Sequence, residues 1–513
     1  MTTTSVSTPA APAVARVSIA ERVANALLAT ACVASALAFG AFAFVCARRI
    51  GYPYELEWME GGTLAHVGRV LHGRAVYTTP TLDWTPNIYS PLYFWVSAAA
   101  AHVTGLNLAT LRAVSVVSSV ALAIFVWFTV RTETRGLIAP TIAVGLLFAM
   151  YRIGGSWFDV ARVDMLFLAL LFGAVLLARV TTRPSLAALT ACVLVLAVLS
   201  KQAALVPALA VAPWMWTRGR RCFAAFAGTF ALVGAGMLGW LQISTDGWFA
   251  YYVWTVPSRH AVEHSAALGF WTHDLFGKSA PAIVLAVVGL VLLSRESTRA
   301  IWLHAPFYAA LIITSYSARL HTGGWDNVLL PVYVGTALLA GVGVGLLRSR
   351  AASPVRALAA GLAVLQFGLL AYQPTTLLPH RGSVVAGDRI VAELRTLPAP
   401  VLLTGEPWLL DRAGRPQEAT AAASALQDVL RAGAGDPARN LTRELDTAVR
   451  AHRYCAIVVT EPTVFSALPA SFATEYRFDR ALDGARDVLP PTGYAIGPAS
   501  IWVPAGPPTC GGR

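Results

Sequence analysis

The chain has 513 residues, of which 56% are hydrophobic and only 13% charged, and its charges gather in short stretches between long apolar runs. A soluble fold of this length needs a charged surface spread along its sequence, so this composition, with a mean hydropathy of +0.60, belongs to a protein of the bilayer. The net charge of +12 sits in small arginine groups between apolar runs rather than on one basic face, which reports topology and excludes a nucleic-acid footprint.

Residues 1–12 are rich in Thr, Ser, Ala and Pro and read as a disordered tail, part of a cytoplasmic segment over 1–22. Arg16 and Arg22 precede the apolar run 23–46. That run is too long for a signal-peptide core and lacks a small-residue cleavage site, so it reads as a retained first span with the N-terminus inside. Further apolar runs follow at 113–130, 137–150, 165–178, 186–199, 203–216, 222–243, 280–293, 300–316, 329–347 and 357–372. The expectation is an α-helical polytopic membrane protein of about eleven spans over 23–373, with flanking residues completing the shorter ones.

Sidedness follows by alternation. With the N-terminus inside, Arg131 and Arg135, Arg179 and Arg183, Arg218 to Arg221, Arg295 and Arg299, and Arg348 to Arg356 all fall inside. The loops left outside are 51–112, 151–164, the turn at 200–201, 244–279, 317–328 and everything after 373. The apolar stretch 89–103 counts as a juxtamembrane or re-entrant helix, because a full span there inverts every later loop.

The first outer loop, 51–112, opens on Tyr54-Glu55-Leu56-Glu57-Trp58-Met59-Glu60-Gly61. A carboxylate at a membrane-facing cleft can act as general base on an acceptor hydroxyl; a solvated loop start is the plain alternative. In the loop 151–164, Arg162 and Asp164 stand at the mouth of the next span with Asp159 a turn earlier, either as a site or as a structural salt bridge. Lys201 lies in Leu199-Ser200-Lys201-Gln202-Ala203 and is the only lysine before Lys278. An isolated outward ammonium suits a phosphate, with snorkelling to lipid headgroups as the alternative.

The loop 244–279 is crowded with Trp248, Tyr251, Tyr252, Trp254, His260, His264, Trp271 and His273, which an interfacial aromatic belt explains. In Arg319-Leu320-His321-Thr322-Gly323-Gly324-Trp325-Asp326-Asn327, glycines allow close approach to a ligand, and His321 and Asn327 are secondary candidates.

Beyond Tyr372 the character changes. The runs 401–404 and 456–460 read as buried strands, and 421–432 and 441–452 as helices. This predicts a small α/β extracytoplasmic domain over 374–513. The six cysteines form no CxxC pair. Cys32, Cys46, Cys192 and Cys222 suit packing, whereas Cys455 and Cys510 can pair only if folding brings them together.

A first span, an outer loop with acids and an aromatic-Pro segment, an outer Asp and then an outer Lys resemble the GT-C superfamily of membrane glycosyltransferases. The similarity is to protein O-mannosyltransferases and lipid A aminoarabinose transferases, and it covers roughly 23–327. The resemblance implies metal-independent transfer, with no cofactor, of a hexosyl or pentosyl group from a polyprenyl-phosphate carrier. The acceptor is a lipid, glycan or protein, and the active site faces outward from the plasma membrane.

It also implies a first-loop acid as general base, here Glu57 or Glu60, with the following Arg69-Val70-Leu71-His72-Gly73 favouring Glu60. Asp164 matches the second-loop acid and Lys201 the phosphate-contacting lysine, with Arg162 and His321 as further cations for the leaving phosphate. Tyr89-Ser90-Pro91-Leu92-Tyr93 matches the aromatic-Pro segment, so Glu55, Tyr89, Pro91, Tyr93, Gln202 and Asn327 are assigned to substrate binding. Two departures stand out: the first-loop acids are spaced rather than adjacent, and the aromatic-Pro segment lacks its usual basic residue. A transporter or flippase of a lipid-linked sugar is the competing class, but it calls for mid-span charges and paired halves that the sequence lacks.

Overall fold

The computed structural model describes residues 18–296, 299–415, 423–433, 435–463 and 467–506. The tail expected to be disordered over 1–12 lies outside them, as does Cys510 of the candidate cysteine pair. Helix α1 (Ile19–Arg49) begins where the Ser18 side chain accepts the Glu21 amide at 3.2 Å, satisfying a donor the helix itself leaves open.

Among the described residues, five helices are long and apolar enough to cross a membrane: Ile19–Arg49, Leu108–Glu133, Arg220–Ser244, His264–Glu296 and Asp326–Arg350. Shorter apolar helices cover Ile138–Ala149, Pro184–Ser200 and Ser353–Leu369. Every apolar run is helical, but 203–216 is not one helix. It breaks into Leu205–Leu209 and Ala212–Thr217, because Pro207 and Pro213 each lack the amide a continuous ladder needs.

The Asp326–Arg350 helix is the interior one, with 94% of its apolar window buried, whereas only 11% of the Arg220–Ser244 window is covered. Small residues let it pack backbone to backbone. A Cβ on Gly343 would stand 2.2 Å from the Leu285 carbonyl oxygen, so only glycine permits this contact with the Gly277–Glu296 helix.

The stretch 89–103 forms α3 (Leu92–Thr104), a helix of 13 residues. At about 1.5 Å per residue it reaches roughly 20 Å, short of a bilayer's hydrocarbon core. Before it, α2 (Glu60–Leu71) continues the first loop, and after it come α4 (Leu108–Glu133), α5 (Ile138–Ala149), α6 (Asp164–Val180) and α7 (Pro184–Ser200).

The C-terminal part holds a four-stranded mixed sheet in the order β1-β2-β4-β3, from β1 (Val401–Leu403), β2 (Ala456–Glu461), β3 (Tyr476–Ala481) and β4 (Gly497–Pro504). β1 and β2 are the two expected strands and run parallel. The predicted helix at 441–452 is the longer Gly435–Arg450, and of 421–432 the described part is Ala423–Ala432.

This sheet and its helices lie against the first loop. The Thr492 amide donates to the Leu56 carbonyl at 3.1 Å, and the Tyr54 hydroxyl to Asp388 at 2.6 Å. Trp408 covers Gly61 so closely that a Cβ there would meet its ring at 1.9 Å. Gly61→Ala is therefore expected to cost about 1–3 kcal/mol by overpacking. Thermal unfolding of the purified variant checks this, and an unchanged midpoint would show that Trp408 moves aside freely.

Candidate active site

The first loop is not a solvated loop start. Tyr52, Tyr54, Glu55, Leu56, Glu57 and Glu60 are all buried, so each carboxyl needs a partner or a proton. The three glutamates solve this in three ways.

Glu60 opens α2 and forms a two-pronged pair with Arg112 of α4: Arg112 Nε donates to Oε1 at 2.9 Å and Nη2 to Oε2 at 2.5 Å. The Ala161 amide adds a bond to Oε1 and the Leu56 amide one to Oε2, each at 2.7 Å. Arg112 also donates to the Tyr52 and Tyr54 carbonyls at 2.5 and 2.6 Å. Both members are fully buried, and this knot fastens the first loop, the second loop and α4 together.

Glu55 accepts the Gly61 amide at 2.6 Å and faces Glu406 from the C-terminal part. Burial raises both carboxyls, Glu406 to about 7, so the pair holds a proton between them. Glu55 thus serves the contact with the C-terminal part and lies away from the main cavity.

Glu57 is different. Its Oε2 stands 3.3 Å from Arg162 Nη1, while its Oε1 has no hydrogen-bond partner among the described residues. Burial pushes its carboxyl up to about 7, with Arg162 opposing and Glu60 adding to the rise. Arg162 donates to the Tyr89 hydroxyl at 2.7 Å and lies over the Tyr89 ring, and its own Nη1 is not spent in a hydrogen bond. Asp164, the first residue of α6, accepts from Lys201 Nζ at 2.6 Å, from Trp157 Nε1 at 3.0 Å and from Asn327 Nδ2 at 3.2 Å.

In front of this array lies a cavity of about 400 Å³ whose wall includes Trp58, Met59, Tyr89, Lys201, His321 and Asn327. Lys201, Tyr89, His321 and Asn327 therefore meet in one space, as a shared ligand requires. Glu57 adjoins Trp58 in sequence and Arg162 contacts Tyr89, so each neighbours a wall residue without itself lining the cavity. A carboxyl with a spare oxygen can take a proton, and cations beside it can hold an anion.

Other candidates do structural work. Tyr93 is buried and donates to the Leu111 carbonyl at 2.8 Å, Pro91 precedes the first turn of α3, and Gln202 donates to the Ile88 and Val253 carbonyls at 2.9 and 3.3 Å. None of the three lines the cavity. Sequence reasoning missed the wall residues His260, Asp428, Arg431 and Tyr494. His260 was absorbed into an aromatic belt, and Asp428 is one acid on an amphipathic helix, with no local signal. It also missed Arg112, whose partner Glu60 lies 52 positions earlier.

No family model and no curated protein sequence matches the chain. Solved structures do. ArnT from Cupriavidus metallidurans in the apo state superposes with a TM-score of 0.57 at 11% identity, over 94% of this chain and 98% of that one. ArnT from the same organism bound to undecaprenyl phosphate matches with a TM-score of 0.55 at 11% identity, over 94% of this chain and 99% of that one.

The chain has the ArnT fold. The expected helical architecture agrees with this fold, and the match spans 94% of this chain. Within this fold the Glu57–Arg162 and Asp164–Lys201 pairs neighbour one another, whereas Glu55 stands apart.

Proposed function

We propose that the chain is a membrane glycosyltransferase of the GT-C type that moves a sugar from a polyprenyl-phosphate donor to an acceptor on the extracytoplasmic face, with Glu57 as the general base. The observation that carries this reading is a run of buried charges, Glu57 with Arg162 and Asp164 with Lys201, in which an acid with a spare oxygen stands beside Arg162 and the run reaches the cavity through Lys201 and Tyr89. The complex of ArnT with undecaprenyl phosphate, on the same fold, supports the donor class.

In this scheme the acceptor O–H loses its proton to Glu57 as its oxygen attacks the sugar's anomeric carbon. The bond from that carbon to the phosphate oxygen breaks, and its electron pair leaves on the polyprenyl phosphate. Lys201 and Arg162 stabilise the charge that develops there. Asp164 and Asn327 orient Lys201 and the cavity wall. Glu60, with every oxygen engaged, holds the scaffold rather than the proton. Clustering of these charged groups in neighbouring buried pairs also sets this reading apart from a flippase, which needs polar groups along a path.

The direct test is binding of undecaprenyl phosphate to the purified full-length protein. Lys201→Ala is expected to weaken it about 10- to 100-fold, as loss of a charged hydrogen bond does, with Lys201→Arg intermediate. Equal binding by wild type and both variants would remove Lys201 from the phosphate site.

The carboxyl of Glu57 must be ionised to accept a proton. Its position near 7 therefore predicts that kcat/KM for transfer rises with pH and levels off above about 7. The sign for stability is the opposite. Folding raises this group from 4.5 to about 7, so the folded state binds its proton more tightly. That contribution is fully present below 4.5 and is lost as pH rises through about 7. A transfer rate that stays flat between about pH 5.5 and 8.5 would count against Glu57 as the base.

A further inference from the structure

The wall that includes Lys201 also includes residues that the proposed chemistry leaves without a task. His260 comes from the aromatic outer loop, and Asp428 and Arg431 come from the Ala423–Ala432 helix of the C-terminal part. His260 is only 8% exposed, yet its Nε2 has no hydrogen-bond partner among the described residues. The nearby carboxylate oxygen, Asp428 Oδ1, stands 3.9 Å away, beyond hydrogen-bonding range. The imidazole is tied to the Asp428 backbone, while its Nε2 is left unspent at the cavity wall.

An unpartnered buried nitrogen is costly unless a ligand meets it. The charges around it narrow the choice. Lys201 and Arg431 share this cavity, and an added ammonium would face both. Burial holds the His260 imidazole below its ordinary value and lifts the Asp428 carboxyl to about 7 against the pull of Arg431. Near neutrality each group can therefore donate or accept. A hydroxyl, donor and acceptor in one, satisfies either.

We propose that His260 and Asp428 form a subsite that hydrogen-bonds the hydroxyl face of the sugar carried by the donor, so that the C-terminal part sets sugar preference. This rests on the polyprenyl-phosphate reading above. The subsite residues come from the 244–279 loop and the Ala423–Ala432 helix rather than from the turn that carries Lys201, so carrier and sugar are held by different elements of the chain.

The test is equilibrium binding to the full-length protein in detergent. The probes are bare undecaprenyl phosphate and the same lipid bearing mannose, galactose, arabinose or a 4-amino-4-deoxy sugar. Wild type is expected to hold at least one neutral glycosylated carrier more tightly than the bare lipid. His260→Leu and Asp428→Ala are each expected to lose about ten-fold on that carrier and nothing on the bare lipid, the measure of one hydrogen bond. His260→Gln, which keeps a polar atom there, should retain most of the affinity.

Variants that weaken bare and glycosylated lipid equally, or neither, would overturn the subsite. So would a preference of wild type for the amino sugar alone, which would make the occupant an ammonium. Bare lipid bound with no gain from any sugar defeats the subsite and leaves the donor reading standing. Binding of neither defeats both.

Discussion

Glu57→Gln is expected to lower sugar transfer by about 10²- to 10⁴-fold per folded molecule, the usual contribution of a positioned general base. The substitution keeps the shape of the side chain and removes only its ability to take a proton. It also leaves the buried Arg162 without its carboxylate, although the Tyr89 hydroxyl still accepts from it at 2.7 Å. Some loss of stability accompanies the loss of rate, so transfer must be normalised to the folded fraction. Glu57→Asp provides the complementary measurement: it keeps the charge, withdraws it by one methylene, and is expected to restore part of the rate. Transfer at the wild-type rate by folded Glu57→Gln would sink the assignment.

Glu60→Gln is expected to fail in a different way. Its carboxylate meets Arg112 and two backbone amides with nothing exposed, so removing one charge strands the other inside the protein. Breaking such a pair costs about 3–5 kcal/mol, while replacing both members together is often close to neutral. Glu60→Gln is therefore expected to unfold at markedly lower temperature. Glu60→Gln with Arg112→Met should recover much of that loss, and the folded fraction of either should keep most of its transfer. If Glu60→Gln instead unfolds like wild type and transfers nothing, while Glu57→Gln stays active, the two roles are reversed.

Much of the fold is legible in the sequence because bilayer burial leaves long unbroken apolar runs, each of which is helical here. The short α3 follows from charge alternation as much as from its own residues. Two strands of the sheet escaped notice for physical reasons. β3 reads Tyr-Arg-Phe-Asp-Arg-Ala at the sheet edge, with every residue after Tyr476 exposed, so it shows no buried face. β4 begins and ends near prolines, which read as turn rather than strand.

At the site, the order of acids and lysine along the chain singled out the loops whose charges lie together here, but not the division of labour among the glutamates. That division depends on Arg112 and Arg162, which arrive from distant parts of the sequence. By sequence, Glu60 has the better match; by geometry, it is the acid with no oxygen to spare. The contribution of His260 and Asp428 was illegible for the same reason, since neither residue has a neighbour in sequence that announces a shared cavity.

Glu57 lies fully buried and does not line the cavity. A carrier-bound sugar is an activated compound sitting where water is abundant, and water is itself a nucleophile. A base open to solvent would spend such donors by hydrolysis whenever no acceptor was present. On the proposed role of Glu57 as base, its burial keeps water from the group that would activate it, so an idle enzyme would spare its donor.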